Sequence, residues 1–204
     1  LTPDLIATLL EPLSTDEPSG PDLEYDPAFM QLAIAAEGKA EQQFGDTIIP
    51  AVEPDWGQVQ QQAIELLGRS KDLRSAIFLL RAVTHTQGLA GSALALALLR
   101  DLLDQFWDSV HPQLDADDDN DPTMRLNALA ALGDEATLVR DLHDAVLGTA
   151  PGIGPIRVRD LAIAHGALAA ASDAESLSPA AVQGGLDAIL PQAPDTVRAM
   201  RELG

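Results

Sequence analysis

The sequence predicts an all-α fold: a multi-helix antiparallel bundle or a short solenoid-like stack of helical hairpins, preceded by an extended N-terminal segment. Residues 54–112 carry three consecutive runs of 3.6-residue hydrophobic periodicity with short joins. Alanine and leucine supply most of the apolar content, which is 46% of the chain against 3% aromatic, and this favours closely packed helices over a sheet. The β-branched and aromatic runs that mark strands are nearly absent. Joins this short force neighbouring helices to pack antiparallel.

The elements follow in order. Residues 4–10 predict a short helix ended by Pro12. Residues 12–28 contain Pro12, Pro18, Pro21 and Pro27, which disfavour regular structure. This segment is expected to lie along the helical body with Leu23 and Tyr25 as anchors, either as a docking strap for a partner or as an ordered wrap. Residues 28–43 predict a helix with Phe29, Leu32, Ala33, Ala36 and Ala40 on one side, and residues 44–53 a loop.

Trp56, Val59, Ala63, Leu66 and Leu67 share one face of the next helix, started by Pro54-Asp55. Gly68-Arg69-Ser70 breaks the pattern, and Ser70 or Asp72 caps the helix that follows. Its stripe is Leu73, Ile77, Leu80 and Thr84, widened by Ala76, Leu79 and Val83, so it is expected to be central. Gly88 is the expected stop. A third helix carries Leu94, Leu98, Leu102, Phe106 and Trp107 and ends before His111-Pro112.

Further helices are expected over 122–132, with Met124, Leu126 or Asn127, Ala128 and Leu132 available for packing, and over 135–147, with Leu138, Leu142, Ala145 and Val146. Arg125 either neutralises part of the preceding acidic loop or pairs with a helix end, and Asn127 caps a neighbouring loop. Residues 148–157 read as a glycine/proline turn region in which Ile156 and Val158 permit a short extended piece. A helix over 160–171 and a loop over 172–178 come next. Ser178-Pro179 is a clean helix start, although Gly184-Gly185 weakens that helix towards Leu190. Residues 195–203 predict a last amphipathic helix with Val197, Met200 and Leu203. Three regions result: 1–27 as the extended segment, 28–171 as the main helical domain, and 172–204 as a C-terminal helical appendage.

Charge narrows the function classes. Twelve basic residues stand against 32 acidic ones, for a formal net charge of −20. Such a chain repels phosphate backbones, so nucleic acid and membrane insertion are not expected. Residues 1–68 hold thirteen acidic residues and one base, Lys39. A basic partner face would be steered to that end; a solvated acidic surface is the plainer reading. The chain contains no cysteine, which removes disulfides, thiolate metal sites and cysteine nucleophiles. No N-terminal signal is visible, and no window is read as reaching the roughly 20 apolar residues of a membrane span. The expectation is a soluble cytoplasmic protein without cofactors.

Catalytic motifs find little support. Residues 115–121 (DADDDND) place five aspartates and an asparagine in one loop, the donor type of a hard-cation site. The EF-hand pattern fails there: Asn120 stands where glycine is needed and Leu126 where the bidentate glutamate belongs. Capping of the helix beginning near Pro122 is the simpler role. His143-Asp144 resembles the paired residues of metal phosphohydrolases, but that chemistry needs further ligands, and His85, His111 and His165 lie on separate segments without ligand spacing. Gly148, Gly152 and Gly154 form no phosphate loop. A metal-dependent hydrolase using loop 115–121 or His143-Asp144 is the alternative to a non-enzymatic role.

Several stretches together resemble a known family. These are PDWGQVQQQAIELLGRSKDLRSAIFLLRA from Pro54, GLAG from Gly88, and FWDSVHPQLDADDDNDPTMRLNALAAL from Phe106. Upstream stands LEPLSTDEPSGPDLEYDPAF and downstream GPIRVRDLAIAHG, so the resemblance runs from about Leu10 to Gly166. The combination is similar to the ImpA-related N-terminal domain of TssA proteins, structural components of the bacterial type VI secretion apparatus. The resemblance implies a non-catalytic assembly component that binds baseplate, tube or sheath subunits, with self-association as a further possibility. For that adaptor reading the region to probe is Trp56, Lys71, Asp72, Arg74 and Trp107. The competing reading makes both tryptophans core and lets Lys71, Asp72 and Arg74 pair with each other at a helix start.

Overall fold

The computed structural model describes residues 1–39, 41–45, 47–170 and 176–203; for Phe44, Glu202 and Leu203 it describes the backbone alone. Ala40, Ala171, the part of the expected loop 172–178 up to residue 175, and the Leu203 side chain lie outside this description.

The centre of the molecule is α4, Leu73–Phe106. It is started by Asp72, whose carboxylate accepts from the Arg74 amide at 2.7 Å. Gly88 divides it into two arms, with φ 61° and ψ −152°, backbone that essentially only glycine adopts. The first arm, residues 73–87, is about 22 Å long at 1.5 Å per residue. Yet Leu73 N–H donates to His111 O and His111 N–H to Lys71 O, both at 2.9 Å. The end of the second arm therefore returns to the start of the first, and the arms run antiparallel. Close approach below the fold is allowed by Gly91, where a Cβ would lie 2.8 Å from Val83 O. Thr84 and Ser92 hydroxyls meet there at 2.8 Å.

Leu73, Leu79, Leu80, Val83 and Leu102 are all fully buried. At about 1.5–3 kcal/mol for each large side chain, this face dominates the stabilisation. Residues 73–106 have the length and composition of a membrane span, but the fold-back at Gly88 divides them into two antiparallel arms, and half of the apolar window is buried inside the protein.

Around α4 pack α1 (Pro3–Leu9), α2 (Pro27–Glu37) and α3 (Trp56–Leu67), which bring Ile6, Leu9, Leu32, Ala36, Val59, Ala63, Leu66 and Leu67 into the main core. After α4 come α5 (Thr123–Ala130), a 3₁₀ turn, α6 (Leu138–Asp144), α7 (Val158–Ala164), α8 (Pro179–Ile189), a second 3₁₀ turn and α9 (Pro194–Leu203). The region expected as an appendage supplies Val182, Leu186, Ile189 and Ala199 to a second core cluster, shared with Leu89 and Ala93 of α4.

The fold class needs correction: the chain is mixed α/β, not all-α. Strands β1 (Gln42–Phe44) and β2 (Thr47–Ile49) pair antiparallel, with Gln42 opposite Ile49 and Phe44 opposite Thr47. Strands β3 (Val146–Ala150) and β4 (Gly154–Arg157) form a second hairpin with a register shift between Val146 and Gly148. Residues 42–43 and 146–147 are thus strand rather than the ends of helices, and residues 44 and 47–49 are strand rather than loop. Gly45-Asp46 before Thr-Ile-Ile is a short hairpin signal. In the second hairpin, packing overrides composition. Gly148 lies against Ile189, where a Cβ would fall 2.3 Å from Cγ2. Ile156 Cδ1 lies 2.1 Å from where a Gly185 Cβ would be. Gly185 therefore does not weaken α8; it admits the sheet. The helix over 160–171 is shorter and earlier than expected, Val158–Ala164, because Asp160 accepts the Arg157 amide at 2.8 Å and starts it there.

Candidate protein–protein interface

The join between α3 and α4 builds one corner of the molecule. Lys71 N–H donates to Ser19 O at 2.8 Å, and the His111 ring Nε2 donates to Gly20 O at 2.9 Å. The N-terminal segment is thereby held against residues 70–72 and 109–112. Arg74 completes the attachment. Its guanidinium contacts Asp72 at 2.7 Å and Asp22 and Glu24 at 3.1 Å, and lies 4.9 Å from the centre of the Phe29 ring. Burial opposes the Arg74 charge, but the Asp72 hydrogen bond and charge, with Glu24 and Asp22, hold its pKa above the ordinary guanidinium value. Leu23 is a buried anchor as expected, but Tyr25 is 86% exposed and anchors nothing.

Arg125 closes the corner from the other side. It is fully buried, and Nε, Nη1 and Nη2 donate to Pro112 O (3.0 Å), Trp107 O (2.7 Å) and Val110 O (2.8 Å). These carbonyls follow the last turn of α4, where helical partners have run out and a cation is favoured. Of the two roles expected for Arg125, pairing with a helix end is the one found. Burial lowers its pKa, and the charge of Asp108 works against that shift. The guanidinium carbon also stands 4.6 Å from the centre of the Trp107 ring.

Turning Arg125 inward turns its neighbours out. Met124 and Leu126, expected to pack, are 54% and 57% exposed. Trp107 is 44% exposed, so it is not core. Asn127, expected as a cap, is exposed too. The corner thus presents Trp107, Met124 and Leu126 on a backbone held by Arg125.

Four of the five residues singled out from the sequence converge here, and Trp56 does not. Lys71 and Asp72 are each 1% exposed, so neither presents a surface. Lys71 Nζ reaches toward Leu67 O at the end of α3, and burial lowers its pKa while Glu11 raises it. Asp72 is the α4 cap, and Arg74 is largely spent on the N-terminal segment. Trp56 is half-buried near the fold-back of α4 at Gly88, stacked on His85 at 4.1 Å with Arg81 5.0 Å from its ring centre. There Asp141, 2% exposed, accepts from Arg81 Nε at 2.7 Å and lies 3.1 Å from His85 Nε2. Met124 and Leu126 were missed as surface residues; their only sequence signal is an arginine between them in a short helix.

The acidic loop folds on itself. Asp115 and Asp121 pair through the backbone, Asp115 accepts the Asp117 amide at 3.0 Å, and Asp121 accepts from both Thr123 amide and hydroxyl. Asp144 pairs with Arg159 at 3.0 Å. Among the described residues no group of three or more histidines and carboxylates is placed to hold a metal.

Comparison with known proteins adds the family. A family model described as "ImpA, N-terminal, type VI secretion system" matches residues 10–134. The chain is 46% identical over 179 residues to the type VI secretion system component TssA1 of Pseudomonas aeruginosa, covering 88% of this chain and 51% of that protein. It therefore spans about half the length of that relative. A solved structure of the N-terminal domain of the TssA component from Burkholderia cenocepacia, including its conserved ImpA_N region, superposes with a TM-score of 0.67. The two are 26% identical, and the match covers 99% of this chain and 81% of that one. With the family match spanning more than half of the residues, the chain belongs to the ImpA N-terminal family of the type VI secretion system.

Proposed function

We propose that this chain is a non-catalytic structural component of a bacterial type VI secretion apparatus. It acts in the cytoplasm as an assembly module that docks baseplate, tube or sheath subunits. The observation that carries the reading is the Trp107–Met124–Leu126 corner, apolar and exposed in a member of this family. Tryptophan is the residue most enriched at interface hot spots, and a rigid backbone limits the entropy lost on docking. Family membership supplies the class of partner.

The test is crosslinking of this chain in a bacterium assembling a contractile secretion system, read by mass spectrometry, with Trp107→Ala/Met124→Ser alongside. Enrichment of baseplate, tube or sheath subunits, crosslinked near residues 107–126 and lost in the variant, is the expected result. Capture of unrelated proteins only, or equal capture by the variant, overturns it.

A further inference from the structure

A second apolar surface is formed by α2 and the hairpin that follows it. Met30 and Ile34, one turn apart on α2, are 49% and 68% exposed. Past Gly38 the chain enters the β1–β2 hairpin, where Ile48, Ile49 and Val52 are 59%, 47% and 54% exposed. The hairpin is fixed to the end of α2: Lys39 N–H donates to Val52 O at 2.9 Å, and Val52 N–H to Lys39 O at 2.8 Å. Gly38, at φ 67°, permits this approach, since a Cβ there would lie 2.6 Å from Val52 O.

We propose that α2 and the β1–β2 hairpin together dock a segment of a partner protein in which apolar side chains are flanked by lysine or arginine. A two-stranded ribbon is marginal in water unless one face is covered. Here all three β2 residues are exposed, so nothing within the described chain covers that strand. The flanking charges choose the occupant. Glu37, Glu41, Glu53 and Asp55 are exposed around the apolar side chains, and Lys39 is the one base among residues 1–68. Apolar contact supplies affinity there, and the acidic surround rejects acidic partners and accelerates encounter with basic ones. A second copy of this chain fits poorly, because each copy carries a formal charge of −20.

The chain, immobilised intact, is panned against a random-peptide phage library, and selected peptides are measured by fluorescence anisotropy. Three variants run in parallel: Ile48→Ser/Ile49→Ser, Glu37→Lys/Glu53→Lys, and Trp107→Ala. Circular dichroism checks that each is folded; all the replaced side chains are exposed. The expected outcome is enrichment of apolar peptides flanked by Lys/Arg. Their affinity falls about tenfold or more in the isoleucine variant, falls in the charge variant and at high salt, and is unchanged in the tryptophan variant. Enrichment of acidic or uncharged peptides overturns the proposal, as does binding lost only with Trp107→Ala, which belongs to the corner instead. Concentration-dependent dimerisation abolished by the isoleucine variant, seen in sedimentation, overturns it in favour of a second copy.

Discussion

Replacing Arg125 by methionine tests the packing of the α4 corner most directly. Methionine retains much of the side-chain length and removes all three donors. Val110 O and Pro112 O, whose bonds to Arg125 are buried, then lose those donors, while Trp107 O is partly open to water. A buried polar group left without a partner costs about 1–3 kcal/mol. Two of them give roughly 2–6 kcal/mol, and relief of the buried guanidinium charge returns part of this. The net loss is expected near 3–4 kcal/mol. In a chain of this size each kcal/mol corresponds to roughly 2–4 °C in Tm, so Arg125→Met should melt about 6–16 °C lower. Urea denaturation followed by circular dichroism gives the free energy. Arg125→Lys separates charge from shape: one ammonium cannot reach three carbonyls as a planar fork does, so it should recover well under the full loss. A loss below about 1 kcal/mol in Arg125→Met would refute the reasoning, because it would mean that water replaces the guanidinium at no cost.

Three other outcomes follow from single contacts. Burial pushes the Asp141 carboxyl up, but hydrogen bonds from His85 and Arg81 and the charge of Arg81 outweigh it and hold the pKa below the ordinary value. The stability it confers is present above the unfolded pKa of about 4 and is lost as pH falls through the folded value; Asp141→Asn should flatten the acid limb of a stability–pH profile, and an unchanged slope contradicts this. Gly88→Ala should cost about 1–3 kcal/mol in urea denaturation, since its backbone conformation is strained for any side chain. Gly148→Ala gains about 0.4–1 kcal/mol from a stiffer unfolded chain, but its Cβ meets Ile189 at 2.3 Å, and overpacking at about 1–3 kcal/mol should win; a more stable variant would show that Ile189 yields freely.

Much of the helical body was legible in the sequence, and the reasons are local. Asp72 before Leu73, Ser178 before Pro179, and the stripe Val59, Ala63, Leu66, Leu67 each act through neighbours within a turn or two. Gly88 was read as a stop and is one: its non-helical backbone ends the first arm and turns the chain into the second, antiparallel arm without a loop. The interface was less legible. Lys71 and Asp72 looked like surface charges beside a helix start. They are buried because the proline-rich segment crosses over them and His111 returns beside them, contacts from some 40 to 50 residues away in the chain that no local pattern encodes.

Hydrophobic periodicity, caps and charge composition therefore determined by themselves that most of this chain is helical, where its main helices start, and that its first third is acidic. Only the tertiary structure decided the two hairpins, the burial of Arg125 and the exposure of Trp107, Met124 and Leu126. Periodicity reports which side of a helix is apolar, not what that side faces. At α5 the partner is a row of carbonyls just past the end of α4, so Arg125 turns inward and Met124 and Leu126 are left on the surface.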